Sequence, residues 1–206
     1  MNETRNVLVF DYDGVLADTE RLHWKSWAAL LLPYDIQLTW EEYCSFGQGV
    51  DDAQMCLTLG NRVPQIGTPE LFRRNSERRR MVRDWSLAEI PIPQETVRLL
   101  TTLAAHRIGL VTSSEQSDLE PVLRAAAIFD AFDAMVFGSE VAARKPAPDP
   151  YLLIARKLGV KTGIAFEDSV PGVESARAAG FEVVRVEQPR DLAQLVARSL
   201  HGETTP

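Results

Sequence analysis

The stretch FDYDGVLADTE, Phe10 to Glu20, decides how the rest of the chain is read. A four-residue apolar run, Val7-Leu8-Val9-Phe10, stops abruptly at an acid, and so short a run bounded by a turn signal predicts a buried strand. Asp11 then stands at the strand's carboxyl end, where ligands collect in open α/β sheets. Asp13 follows two residues later, and in an extended segment both carboxylates project to one side, roughly 6 to 7 Å apart at Cα. Gly14 lets the chain turn away. Plain loop acids of a strand-to-helix turn are the alternative reading. A calcium loop is excluded, because Gly14 falls fourth rather than sixth and Leu22 stands where the twelfth-position Glu is required.

The chain of 206 residues, 45% of them hydrophobic, is long enough for a substantial core in one or two domains. With 22 basic against 29 acidic residues the net charge is -7, which argues against nucleic acid or an anionic membrane as a partner. Cys44 and Cys56 have no metal-type spacing to each other or to the histidines, so a reducing, cytoplasmic setting is expected. The polar start Met1 to Asn6 predicts no signal peptide, and no segment has the length and apolarity of a membrane span.

From Asp18, expected to cap a helix, the apolar residues Leu22, Trp27, Leu30 and Leu31 recur at helical spacing. Further helices are expected over 40–46, 51–59 and 69–85, with an exit through 86–93 stiffened by two prolines. Residues 18–88 therefore form an expected all-helical insertion. Its arginines at 73, 74, 78, 79, 80 and 83 read as a solvated helix face, partly balanced by Glu77 and Asp84. Helices and strands then alternate: helices at 94–105, 118–126, 150–158, 172–179 and 191–200, strands at 108–111, 134–137, 163–166 and 182–186. This pattern predicts an α/β fold, a doubly wound parallel, Rossmann-like sheet, made from residues 1–17 and 89–206 and interrupted by the helical cap. The tail 202–206 is expected to fray.

The next three strands also end in chemistry. The second ends in Thr112-Ser113-Ser114, hydroxyls and amides suited to an oxyanion at a helix N-terminus, or to capping that helix. After the third comes Arg144-Lys145-Pro146-Ala147-Pro148-Asp149, which frames with prolines one of only four lysines in the chain. The fourth ends in Glu167-Asp168-Ser169, acids able to join Asp11 and Asp13 around a hard cation, or to cap the helix after Pro171-Gly172.

The ordered set FDYDGVLADTE, LVTSS, RKPAPDPY and FEDSVPGVESARAAG resembles the haloacid dehalogenase superfamily in its phosphatase and phosphomutase branch, and the insertion matches the position of that family's small cap. A signalling receiver domain groups similar residues, but there the acid pair precedes the phosphorylated Asp and no cap interrupts the fold. The resemblance implies that Asp11 attacks phosphorus to give an aspartyl phosphate and that Asp13 serves as acid and then base. It implies that Thr112 and Lys145 hold phosphoryl oxygens, with Ser113 and Ser114 beside them. It also implies Mg²⁺ held by the Asp11 carboxylate, the Asp13 carbonyl and Asp168, supported by Glu167. Dehalogenation is disfavoured because it dispenses with the second Asp and the metal. Phosphonate cleavage is disfavoured because Lys25, the one cap lysine, stands a turn away from the expected pocket wall.

The texture of Asp18-Thr19-Glu20 and His23 is similar to β-phosphoglucomutases and sugar-phosphate phosphatases, which makes His23 a candidate for contact with the leaving group or a packed cap histidine. Where mutases carry Lys and Arg for a second phosphate, this chain carries Gln48 and Asp52, and an acid there repels a dianion. The expectation is a Mg²⁺-dependent phosphatase of a small phosphorylated metabolite, plausibly a sugar phosphate, acting as a monomer or weak homodimer. The alternatives are a hexose-phosphate mutase and a non-catalytic binding protein on the same fold.

Overall fold

The computed structural model describes residues 6–201. The polar start at residues 1–5 and the tail expected to fray at 202–206 lie outside the described residues. Strand β1 (Val7–Phe10) is followed by four helices: α1 (Glu20–Leu31), α2 (Trp40–Phe46), α3 (Asp52–Arg62) and α4 (Thr68–Ala88). Then α5 (Gln94–Thr102), β2 (Arg107–Val111), α6 (Gln116–Ala125), β3 (Ala134–Val136), α7 (Asp149–Leu158), β4 (Ile164–Glu167), α8 (Val170–Ala178), β5 (Glu182–Arg185) and α9 (Leu192–Leu200) alternate to the end. Two compact units result, one reaching Asp18 and resuming at Pro91, the other spanning Thr19–Ile90.

In the first unit the five strands form one parallel sheet in the order β3-β2-β1-β4-β5. Leu8, Val9 and Phe10 are fully buried, as a central parallel strand covered on both faces requires. Helix α7 packs Tyr151, Ile154, Ala155 and Leu158, a single stripe at helical spacing, into the same cluster as Val9, Val111 and Val136. This α/β, doubly wound arrangement is the one the alternation predicts. Two expectations fail locally. Asp18 does not cap α1, which starts after Thr19; its backbone N–H instead donates to the Pro91 carbonyl at 2.9 Å, joining the outgoing and returning strands of chain. At the other crossing α4 runs through Ala88, so Ser86 belongs to the helix rather than to the exit segment.

The second unit has its own core of Trp27, Leu30, Leu31, Tyr43, Met55, Leu59 and Leu71. Beside it lies the clearest departure from the sequence reading. Arg78, expected on a solvated face, is 1% exposed. Its guanidinium stands 4.7 Å from the Trp27 ring centroid and spreads its donors over three helices. Nε–H donates to Asn75 Oδ1 at 3.0 Å, Nη1–H to Ser26 Oγ at 3.1 Å and to His23 Nδ1 at 3.3 Å, and Nη2–H to Asp52 Oδ1. Asn75 Nδ2–H closes the cluster on Asp52 Oδ2 at 3.2 Å. Asp52 is therefore a counter-ion inside this unit, and its charge is matched by Arg78.

Burial by itself would raise the Asp52 carboxyl, but the Arg78 guanidinium, with smaller help from His23 and Asn75, holds it below the usual range. A depressed carboxyl contributes stability above its unfolded pKa, about 3.9 for Asp, and loses it as pH falls through the folded value. Asp52→Asn is expected to cost about 3 kcal/mol at pH 7, the low end for a broken buried pair because the Asp52 side chain keeps 27% exposure. In urea unfolding followed at several pH values, the gap between wild type and variant should narrow as pH drops below about 4. A gap independent of pH would show that the ion pair does not stabilise the unit.

Candidate active site

Register brings the site together. Phe10 pairs with Leu110 on one side and Phe166 on the other, so Asp11 emerges between Val111 and Glu167 at the carboxyl edge of the sheet. The Phe10 and Phe166 rings stack at 4.9 Å beneath it, and the Asp11 N–H donates to the Phe166 carbonyl at 3.0 Å. The chain then folds back on itself, with the Tyr12 carbonyl accepting from the Leu16 and Ala17 N–H groups at 3.0 Å. Gly14 occupies the turn at φ +73°, and a Cβ there would lie 2.1 Å from Asp168 Oδ2. Glycine is thus required at 14 both for the turn and for the approach of the acid.

Lys145 is the hub. Its Nζ donates to Asp11 Oδ1 at 2.8 Å, to Glu167 Oε1 at 2.6 Å and to the Val111 carbonyl at 3.2 Å, so all three ammonium protons are engaged. Burial alone would lower the Lys145 pKa, but the Asp11 and Glu167 charges more than compensate and hold it above its usual value. For Asp11, burial is the dominant effect and raises the carboxyl well above the ordinary range; Lys145 opposes it, while Glu167, Asp168 and Asp13 add to it. Glu167 is fully buried, and its Oε1 also accepts the Tyr151 hydroxyl at 2.6 Å. Burial, and next the Glu167 charge, raise the Tyr151 phenol well above its usual range, so it remains a donor.

Asp11, Glu167 and Asp168 each offer an oxygen, and these oxygens lie within 4.8 Å of one another. Set against them among the site residues is the single ammonium of Lys145, and Glu167 Oε2 is buried with no hydrogen-bond partner. Hard oxygen donors with an excess of negative charge and an orphaned carboxylate oxygen fit a hard divalent cation such as Mg²⁺.

The loop after β2 forms the other wall. Thr112 is buried, its N–H donates to the Val136 carbonyl at 3.0 Å, and its Oγ1 accepts the Ser114 N–H at 3.0 Å. Ser114 Oγ–H reaches Asp13 Oδ2 at 3.2 Å. The two acids of the opening motif therefore meet different partners, Asp11 the lysine and Asp13 a serine. Ser113 carries its carbonyl against the Arg144 guanidinium at 3.4 Å, and Arg144 also pairs with Glu115 at 2.8 Å.

The first unit thus gathers Asp11, Asp13, Thr112, Ser113, Ser114, Lys145, Glu167 and Asp168 at one edge. His23, Gln48 and Asp52 belong to the second unit, with Gln48 exposed in the turn before α3. Asp52, read from the sequence as an acid where mutases carry a cation, has its carboxylate bonded to Arg78 and Asn75. Tyr151 and Arg144 went unassigned although both stand in the quoted RKPAPDPY stretch. A tyrosine in phase with Ile154, Ala155 and Leu158 signals packing, and nothing in the spacing reveals where its hydroxyl points.

The family model described as haloacid dehalogenase-like hydrolase matches residues 8–186. A phosphorylated carbohydrates phosphatase of Thermotoga maritima is 32% identical over 178 residues, covering 85% of this chain and 82% of its own. A fructose-1-phosphate phosphatase, YqaB, of Escherichia coli is 32% identical over 186 residues, covering 87% of this chain and 95% of its own. Among solved structures, a β-phosphoglucomutase of Clostridium difficile superposes with a TM-score of 0.77 at 22% identity, covering 97% of each chain, a likeness of fold. With nearly its whole core inside the matched span, the chain belongs to the haloacid dehalogenase-like hydrolases.

Proposed function

We propose that this chain is a Mg²⁺-dependent phosphatase of a small phosphorylated metabolite, of the sugar-phosphate class, working through an aspartyl phosphate. The observation that carries the reading is the buried Asp11 carboxylate, pinned at 2.8 Å by a buried lysine beside two further acids. The substrate class rests on the two phosphatases of phosphorylated sugars to which the chain is similar.

Asp11 attacks phosphorus, and the bond from phosphorus to the leaving oxygen breaks. Asp13, oriented by Ser114, gives the leaving alkoxide its proton, then takes one from the water that attacks the aspartyl phosphate and frees inorganic phosphate. Lys145, Thr112, Ser113 and Ser114 line the phosphoryl side; the Val111 carbonyl, the longest and only neutral partner of Lys145, is the one a phosphoryl oxygen replaces most readily. The Asp11 and Asp168 carboxylates, the Asp13 carbonyl and Glu167 would hold Mg²⁺, which when bound would supply the charge neutralisation an anionic nucleophile needs against an anionic phosphoryl group.

A mutase needs a cation in the cap for a second phosphate. Gln48 is neutral, and every proton-donating nitrogen of Arg78 is committed within its own cluster. This favours hydrolysis.

Asp11→Asn should abolish phosphate release from a panel of sugar phosphates in the presence of Mg²⁺ while circular dichroism stays native, because Glu167 still pairs with Lys145. Turnover close to wild type in the folded variant would remove Asp11 as nucleophile. Lys145→Ala should reduce turnover by ~10²-fold or more, the scale of losing a preorganised charge stabiliser. A loss of only a few-fold would leave Lys145 a purely structural cation.

A further inference from the structure

We propose that Tyr151 is a positioning residue that turns Glu167 into a one-oxygen donor and so sets the preference of the acid cluster for magnesium over calcium. The inference rests on the metal site of the proposed function and adds a residue to it.

Glu167 Oε1 accepts two hydrogen bonds of 2.6 Å, one from Lys145 Nζ and one from the Tyr151 hydroxyl. A carboxylate oxygen has about two lone-pair sites, so Oε1 is filled. Oε2 is buried and carries no hydrogen bond, which leaves it as the oxygen with capacity to spare. The carboxylate sits close against the start of α8, where a Cβ on Gly172 would fall 1.9 Å from Oε2 and 2.6 Å from Oε1, so it is the filling of Oε1 that limits it to one free oxygen. The Tyr151 ring is itself immobilised, fully buried in the core and set edge-on to Phe181 at 5.3 Å. Its hydroxyl is therefore a fixed donor on a fixed acceptor.

Ion selectivity follows from how many oxygens each acid offers. Calcium takes six to eight oxygens at longer distance and gains from bidentate carboxylates, whereas magnesium demands a compact octahedron of single-oxygen donors. Keeping Glu167 monodentate withholds one ligand from the larger ion and costs the smaller one nothing. Removing the hydroxyl reopens a lone-pair site on Oε1 and admits calcium to both oxygens.

The test measures Mg²⁺ and Ca²⁺ dissociation constants by calorimetry on the full chain, without substrate, for wild type and Tyr151→Phe. Thermal unfolding in chelator checks that the variant folds. Phe keeps the ring and its contact with Phe181; should it fail to fold, Tyr151→Met, which also lacks the hydroxyl, takes its place. The ratio of magnesium to calcium affinity should fall by about tenfold in the variant, the usual scale for losing a hydrogen bond to a ligating side chain. General loosening would weaken both ions alike. An unchanged ratio, whether or not both constants move together, overturns the role of Tyr151 and leaves the phosphatase reading intact. A wild-type chain that binds neither ion overturns both.

Discussion

One ammonium group holds the catalytic unit's edge in shape. The Lys145 side chain is 7% exposed and faces two carboxylates and a carbonyl, and each of those acceptors belongs to, or directly follows, a different strand. Taking so many charges out of water is costly, and removing one partner would leave an uncompensated buried charge. The cluster therefore makes sense as an organiser of chemistry rather than as a source of stability. In the proposed function its negative excess draws a cation, and the cation in turn offsets the charge of a phosphoryl group.

The sheet makes that concentration of charge possible. Because β1 lies between β2 and β4, Asp11 is flanked on both sides by strand ends that carry polar residues. The apolar runs beneath, with Phe10 stacked on Phe166, are rigid enough to hold acids close together despite their repulsion. Two glycines complete the packing, since only the lack of a side chain at 14 and 172 lets Asp168 and Glu167 take their places. The constraint passes from register to side chain to charge.

The inserted unit solves a separate problem. Its helices enclose their own apolar core, yet they also bury a guanidinium whose donors are distributed to Asp52, Asn75, Ser26 and His23. A planar fork with five donors is suited to such a junction, and a lysine could not reach all four partners at once.

The alternation, the five strands and the identity of the residues at their ends are legible in the order of amino acids alone. Short apolar runs that halt at acids or hydroxyls have few other ways to fold, and the order of the four motifs is specific. Helix starts were less legible: Asp18 has the chemistry of a cap, but its backbone was needed at Pro91. Arg78 shared a run of arginines with exposed neighbours such as Arg73 and Arg80, and local pattern cannot tell which member turns inward. That Asp52 answers Arg78, that Tyr151 reaches Glu167, and that Lys145 bonds Asp11 while Ser114 bonds Asp13 emerge from the fold. Those outcomes depend on the direction of side chains across segments distant in sequence, from Arg78 to Asp52 on another helix and from Lys145, in the loop before α7, to Asp11 just past β1. Periodicity records which face of an element is buried; it does not record which polar atom that face will meet.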